Sequence, residues 1–434
     1  MDLPDAGIAP DLLRRTIDQY AADDVAWRQG RSWSLMYDSP QWHSDLVREA
    51  AARFANENAL SHTAFPSAAR FESDVISMVA SVVSPDVLSY GLFTSGGTES
   101  TMVAMKAYRD AARRPRGAIV IPVTAHPAFG KAAAYLGLDL VTVAVGDDGL
   151  PDPDAIARAV DERTVVVGLS APCYPFGVVD PIAEVAAQVA PREVGVHVDA
   201  ALGGMFLPFL DAAGSIVPHF GVDISGVTSV AVDVHKYGYG AKGASVVLFA
   251  NPELRHAAYH VSVGWPGGAY ASSGVLGTRS VGAAAGAFAA LATLGRAGYR
   301  LLVAGVMRTT RSMQQGMCER LPLRLVGDPG MSVFAVTSSD VSVPAVAHGL
   351  QRRGWWIDVQ AQPPSMHFIV FPRHAAVLDR FLDDVGAAIH DVGSGPEPPE
   401  PLASYGVMVR RSAAITEEAL RVHLDERFDA RGRE

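Results

Sequence analysis

The chain has 434 residues, of which 49% are hydrophobic and 19% charged, so it carries enough apolar material for a large core and is excluded from the disordered class. Its 36 basic and 46 acidic side chains leave a net charge of −10, which argues against a nucleic-acid groove and for a small-molecule partner. Two cysteines, Cys173 and Cys318, exclude a disulfide framework and a four-thiolate zinc site and suit a reducing cytosol, so a cytoplasmic location is expected.

In chain order, residues 1–55 form an N-terminal arm of short helices whose Trp27, Trp33 and Trp42 must pack on something, a neighbouring subunit included. The start of the chain lacks the basic region and apolar stretch of a secretory signal. A large domain over 56–295 follows. Between about Ser73 and Ala250, apolar runs of strand length at 118–123, 140–145, 164–169, 194–198, 229–234 and 244–249 alternate with helical stretches. That rhythm predicts an α/β fold with a mainly parallel sheet. Residues 281–295, rich in Ala and Gly, fall short of the roughly 20 apolar residues of a membrane span and read as a buried helix. A small C-terminal α+β domain over 296–434 has strands at 331–337 and 367–371, and the proline-rich 393–401 reads as a connector.

Four segments carry chemistry. The glycine pair in Phe93-Thr94-Ser95-Gly96-Gly97-Thr98-Glu99-Ser100 opens a helix, where bare backbone and unpaired N–H groups can cradle a phosphate. An ordinary capped loop is the alternative. The apolar run 194–198 ends in Asp199, which the carboxyl edge of a parallel sheet would place in the ligand crevice to hold a positive partner; a helix cap is the alternative. The run 229–234 ends in His235-Lys236, and a partly desolvated lysine at a sheet edge is a usual source of a Schiff-base amine, though most lysines are solvated. His126 follows another strand-like run and can lie against a planar ring or simply occupy a turn. Gly238, Gly240 and Gly243 match the spacing of a dinucleotide loop, but the residues after them are β-branched and apolar, so a turn between strands is expected there. No metal site is expected: H-E-x-x-H is absent, and His256 and His260 lack the glutamate. A phosphate cradle, a pyridinium partner, an imine-forming lysine and a stacking histidine jointly describe pyridoxal 5'-phosphate.

On these residues the chain resembles the pyridoxal-phosphate enzymes of the group II decarboxylase superfamily, and within it the sphingosine-1-phosphate lyases. Residues 94–110, 177–206, 226–249, 268–279 and 354–367 carry the resemblance. It implies a fold-type-I homodimer and a small-molecule amine substrate; the membrane anchor of the family's eukaryotic members is not expected in this chain. Lys236 would be the imine lysine, Asp199 the partner of the pyridine nitrogen and His126 the stacking residue. Gly96, Gly97, Thr98 and His235 would hold the cofactor phosphate, joined across the subunit interface by Gly277 and Thr278. Tyr37 and Lys242 stand where the family uses a tyrosine and a lysine for substrate binding or proton transfer. Where the family reads Asn-Pro-Leu-His, this chain reads Asn58-Ala59-Leu60-Ser61-His62, making Ser61 and His62 substrate candidates. The implied activity is retro-aldol carbon–carbon cleavage of a β-hydroxy amine; amino-acid decarboxylation and a non-catalytic cofactor-binding role are the alternatives.

Overall fold

The computed structural model describes residues 3–114, 116–394 and 417–428, so residues 395–401 of the expected connector lie outside the described residues. Helices α1 (Pro10–Tyr20), α2 (Gln41–Arg53) and α3 (Pro66–Val83) lead into the large domain. There β1 (Tyr90–Thr94), α4 (Gly97–Ala111), β2 (Ala118–Pro122), α5 (Ala128–Leu136), β3 (Asp139–Val143), α6 (Pro153–Ala159), β4 (Thr164–Ser170), α7 (Ile182–Val189), β5 (Gly195–Asp199), β6 (Val227–Val232) and β7 (Ser245–Phe249) build a seven-stranded sheet in the order β1-β7-β6-β5-β4-β2-β3. Strands β2 to β6 pair in parallel, whereas β7 pairs antiparallel with both β6 and β1. Helices cover the sheet, so β2, β4 and β7 are buried at every residue and read as continuous apolar runs rather than alternating ones.

Strand β1 was not among the strands expected from sequence. Gly91 lies inside it, and a Cβ there would come within 2.2 Å of Ile76 in α3, so the glycine lets helix and strand approach. The loop after β6 carries Gly238, Gly240 and Gly243 into β7 with no intervening helix, which makes it the expected turn between strands.

After α8 (Pro252–Ala258) and the hairpin β8 (His260–Ser262) and β9 (Tyr270–Ser272) comes α9 (Gly282–Arg320). It kinks at Gly295, where φ is 53° and ψ is −178°. A second sheet, in the order β10-β11-β13-β12, is antiparallel throughout and comprises β10 (Arg324–Leu325), β11 (Val333–Thr337), β12 (Asp358–Ala361) and β13 (Pro364–Ile369). Helices α10 (Val343–Arg352) and α11 (Leu378–Ser394) pack beside it, and α12 (Glu417–Phe428) is the last element. No helix among the described residues is long and apolar enough to cross a membrane.

The tryptophans of the first 55 residues have different fates. Trp33 is fully buried in this chain's own second-sheet unit, its ring 3.9 Å from that of His374 and 4.4 Å from that of Phe381. The backbone follows: Trp33 N donates to Trp356 O, and Ile369 N donates to Trp33 O. Trp42 stays 57% exposed, and α1 buries none of its residues. Because Trp33 ties the start of the chain to the second sheet, Trp33→Ala is expected to lower unfolding free energy by about 3–5 kcal/mol. Chemical denaturation measures this, and an unchanged midpoint would contradict the packing role.

Candidate active site

The site forms where the carboxyl ends of β5 and β6 meet the start of α4. In the β5–β6 ladder Asp199 lies opposite Ala231, so the segment after β6, with Asp233, His235 and Lys236, emerges next to Asp199. Asp199 turns one oxygen back to accept from Ala201 N at 3.0 Å, which fixes the carboxylate at the strand end. Lys236 Nζ lies 3.1 Å from Asp233 Oδ2. His235 donates from Nδ1 to Ala244 O at 2.9 Å, which directs Nε2 toward Asp233. Gly96 and Gly97 border the same space: a Cβ at Gly96 would lie 3.6 Å from the His235 ring, and one at Gly97 would lie 3.0 Å from Asp233 Oδ2. Thr98 follows in the first turn of α4, where backbone N–H groups lack helical partners. His126, in the turn after β2, accepts from Ala128 N at its Nδ1 and feels the charges of Asp199, Lys236 and Asp233.

The charges are tuned by burial and by one another. Burial lowers the basicity of His126, and Lys236 adds to this against the pull of Asp199 and Asp233, so the ring tends to be neutral with its proton on Nε2. Burial works to raise the pKa of Asp233, yet Lys236, His235 and the Ser245 hydroxyl outweigh it and hold the carboxyl below its ordinary range. Tyr37 and Lys242 sit at the margin. Lys242 Nζ lies 5.3 Å from the centre of the Tyr37 ring, which packs edge-on against buried Tyr237. Lys242 is exposed and its Nζ donates to Leu35 O at 3.5 Å; partial desolvation, followed by repulsion from Lys236, lowers its pKa.

A cavity of about 420 Å³ opens beside His126, walled by Tyr174 and by Asp358 and Gln360 of β12. Its lining is mainly apolar and includes no lysine or arginine. Ser61 and His62 are elsewhere in the chain, lining a second cavity of about 570 Å³ with Glu72 and Arg279. There Glu72 binds Arg279 at 2.5 Å and His62 at 3.4 Å. Gly277 and Thr278 precede Arg279, with Thr278 Oγ1 reached by Asn58 Nδ2 at 3.5 Å. One chain therefore brings Lys236, Asp199, His126, His235 and the glycine pair together, with Tyr37 and Lys242 beside them, while Ser61 and His62 line the second cavity and the segment before Gly277 and Thr278 is tied to α4 through Val275 N and Leu276 N, which donate to Glu99. Asp233 was not singled out from sequence; the available signal was an acid at the end of an apolar strand, three residues before the lysine.

These residues fit pyridoxal phosphate: bare backbone at Gly96 and Gly97 beside an imidazole, a lysine at the sheet edge, and a carboxylate and a neutral histidine facing it. Fold and site define a pyridoxal-phosphate enzyme of fold type I. The family model described as aminotransferase class-V matches residues 77–361. The chain is 37% identical over 391 residues to the sphingosine-1-phosphate lyase of Dictyostelium discoideum, covering 89% of this chain and 74% of that one. The structure of a sphingosine-1-phosphate lyase from Burkholderia pseudomallei superposes with a TM-score of 0.86 at 33% identity, covering 90% of this chain and 93% of the other. A Lactobacillus brevis glutamate decarboxylase shares the fold alone, with a TM-score of 0.79 at 19% identity over 91% of this chain and 97% of the other. The chain belongs to the sphingosine-1-phosphate lyase family and is a pyridoxal-phosphate-dependent lyase.

Two variants test the geometry. Gly97→Val forces a side chain against Asp233 and is expected to weaken cofactor binding by about 1–3 kcal/mol in a spectral titration with pyridoxal 5'-phosphate. Asp199→Asn should retain the cofactor and turn over more slowly; full activity would remove Asp199 from its role.

Proposed function

We propose that the chain cleaves the Cα–Cβ bond of a phosphorylated β-hydroxy amine, giving an aldehyde and a smaller phosphorylated amine. The observation that carries this reading is Lys242, an amine of lowered basicity set beside Tyr37 and close enough to feel the charge of Lys236. Retro-aldol cleavage needs a base for the β-hydroxyl, and an amine with a lowered pKa is better supplied in its unprotonated form near neutrality. The likeness to lyases at 37% and 33% identity favours the lyase over a decarboxylase.

Pyridoxal phosphate, when bound, supplies a ring that withdraws the electron pair released at the amine carbon. Asp199 stands at the carboxyl end of β5, where its carboxylate would pair with the ring nitrogen. The neutral His126 offers a flat face without adding a positive charge. Lys242 Nζ takes the proton of the β-hydroxyl, Tyr37 positions that ammonium, and Lys236 Nζ returns a proton to the amine carbon after the bond has broken. The phosphate of the substrate would be held by Ser61 and His62 of a second copy, with Gly277 and Thr278 reaching the cofactor phosphate in the same way. Such sharing would make the active form a homodimer. A cytoplasmic setting accords with the two free cysteines.

Incubation of the cofactor-loaded protein with a phosphorylated β-hydroxy amine should release aldehyde and no carbon dioxide. Carbon dioxide from an amino acid, without aldehyde from any β-hydroxy amine, would overturn the proposal. Lys242→Met is expected to reduce cleavage by about 10²–10⁴-fold while leaving the cofactor bound. In the wild type the rate should fall as pH drops through the lowered pKa of Lys242, because the base is then protonated; a rate independent of pH in that region would exclude it.

A further inference from the structure

Asp233 follows the last residue of β6 with a side chain only 2% exposed. A carboxylate at that depth is destabilising unless charges and donors surround it. Here the Ser245 hydroxyl donates to Oδ1, Lys236 Nζ lies 3.1 Å from Oδ2, and His235 Nε2 lies 3.6 Å from the same oxygen. The three partners come from different places: Ser245 begins β7, His235 borders the glycine pair, and Lys236 is the proposed covalent anchor. Gly97 packs directly on the carboxylate, so Asp233 is also fixed against the start of α4.

The Lys236 amine has two conditions in any reaction of this class. With the cofactor bound it would be bonded to it at rest and released when an incoming amine takes its place. A released lysine amine in a site also bearing Lys242 needs an anion to hold it and to keep it from drifting to solvent. We propose that Asp233 is a positioning residue that receives Lys236 as an ammonium on its release and holds it within reach for its return, with Ser245 and His235 keeping the carboxylate in place. This inference rests on Lys236 being the anchor. The charged and titratable groups facing Lys236 are Asp233, Asp199, His126, His235 and Lys242. Asp233 Oδ2 is in direct contact with its nitrogen, at 3.1 Å.

The test is a pH titration of the visible absorbance band of the protein loaded with pyridoxal 5'-phosphate, comparing wild type, Asp233→Asn and Asp233→Glu. A carboxylate beside a cationic nitrogen raises its pKa, so Asp233→Asn is expected to lower the midpoint by about 1–3 pH units. Asp233→Glu, which restores the charge, should bring it back toward the wild-type value. A purely structural role would change stability and leave the midpoint in place. Should Asp233→Asn fail to fold, Ser245→Ala keeps the carboxylate but removes the hydroxyl that holds it and stabilises its charge, and the midpoint should then fall, by less than in Asp233→Asn. A wild type with the band and variants with an unmoved midpoint would overturn this inference alone. A wild type without the band would overturn the assignment of Lys236, and this inference with it.

Discussion

The register between β5 and β6 is the constraint on which the site depends. With Asp199 opposite Ala231 in a parallel ladder, the acid that ends one strand and the lysine that follows the next are delivered to the same edge of the sheet. A slip of one residue would turn every side chain of a strand to the other face. The register is held by burial: β6 ends in four consecutive buried residues, and β7 on its far side is buried throughout. Apolar packing deep in the sheet thus sets polar distances at its rim.

Once gathered, the charges are held in a small volume from which water is largely excluded. Asp233 sits below its ordinary pKa despite burial because Lys236, His235 and Ser245 surround it, whereas His126 and His235 are both pushed toward the neutral form by burial. The result is a site where Asp233 keeps its charge and the two imidazoles shed theirs. That distribution suits a cationic nitrogen, since the fixed negative charge is in place before the ligand arrives.

Much of the large domain could be read from residue order because buried parallel strands are unbroken apolar runs, and all six of those runs became strands within a few residues of the expected bounds. The strand β1 escaped because Tyr90-Gly91-Leu92-Phe93-Thr94 is short and carries a glycine whose purpose, the close approach of Ile76, is a tertiary fact. Strand β13 begins at Pro364, earlier than expected, because its pairing with β11 and β12 rather than its own hydrophobicity sets its start. The partner of Trp33 lies more than 300 residues away, at His374 and Phe381, and no local pattern encodes such a contact. At the site, the glycine pair, Asp199 and the His235-Lys236 pair each had a local signature, and their meaning came from convergence. Asp233 had the spacing but looked like the end of a strand, and only its burial against the Ser245 hydroxyl and the Lys236 amine distinguishes it.

The central claim is that the sheet edge presents one particular amine for covalent attachment. Borohydride reduction of the protein loaded with pyridoxal 5'-phosphate, followed by peptide mapping by mass spectrometry, addresses it directly. The account predicts that the pyridoxyl mass is found on Lys236 and that Lys242, despite its lowered pKa, remains unmodified. A label on Lys242, or label spread over surface lysines with Lys236 untouched, would contradict it.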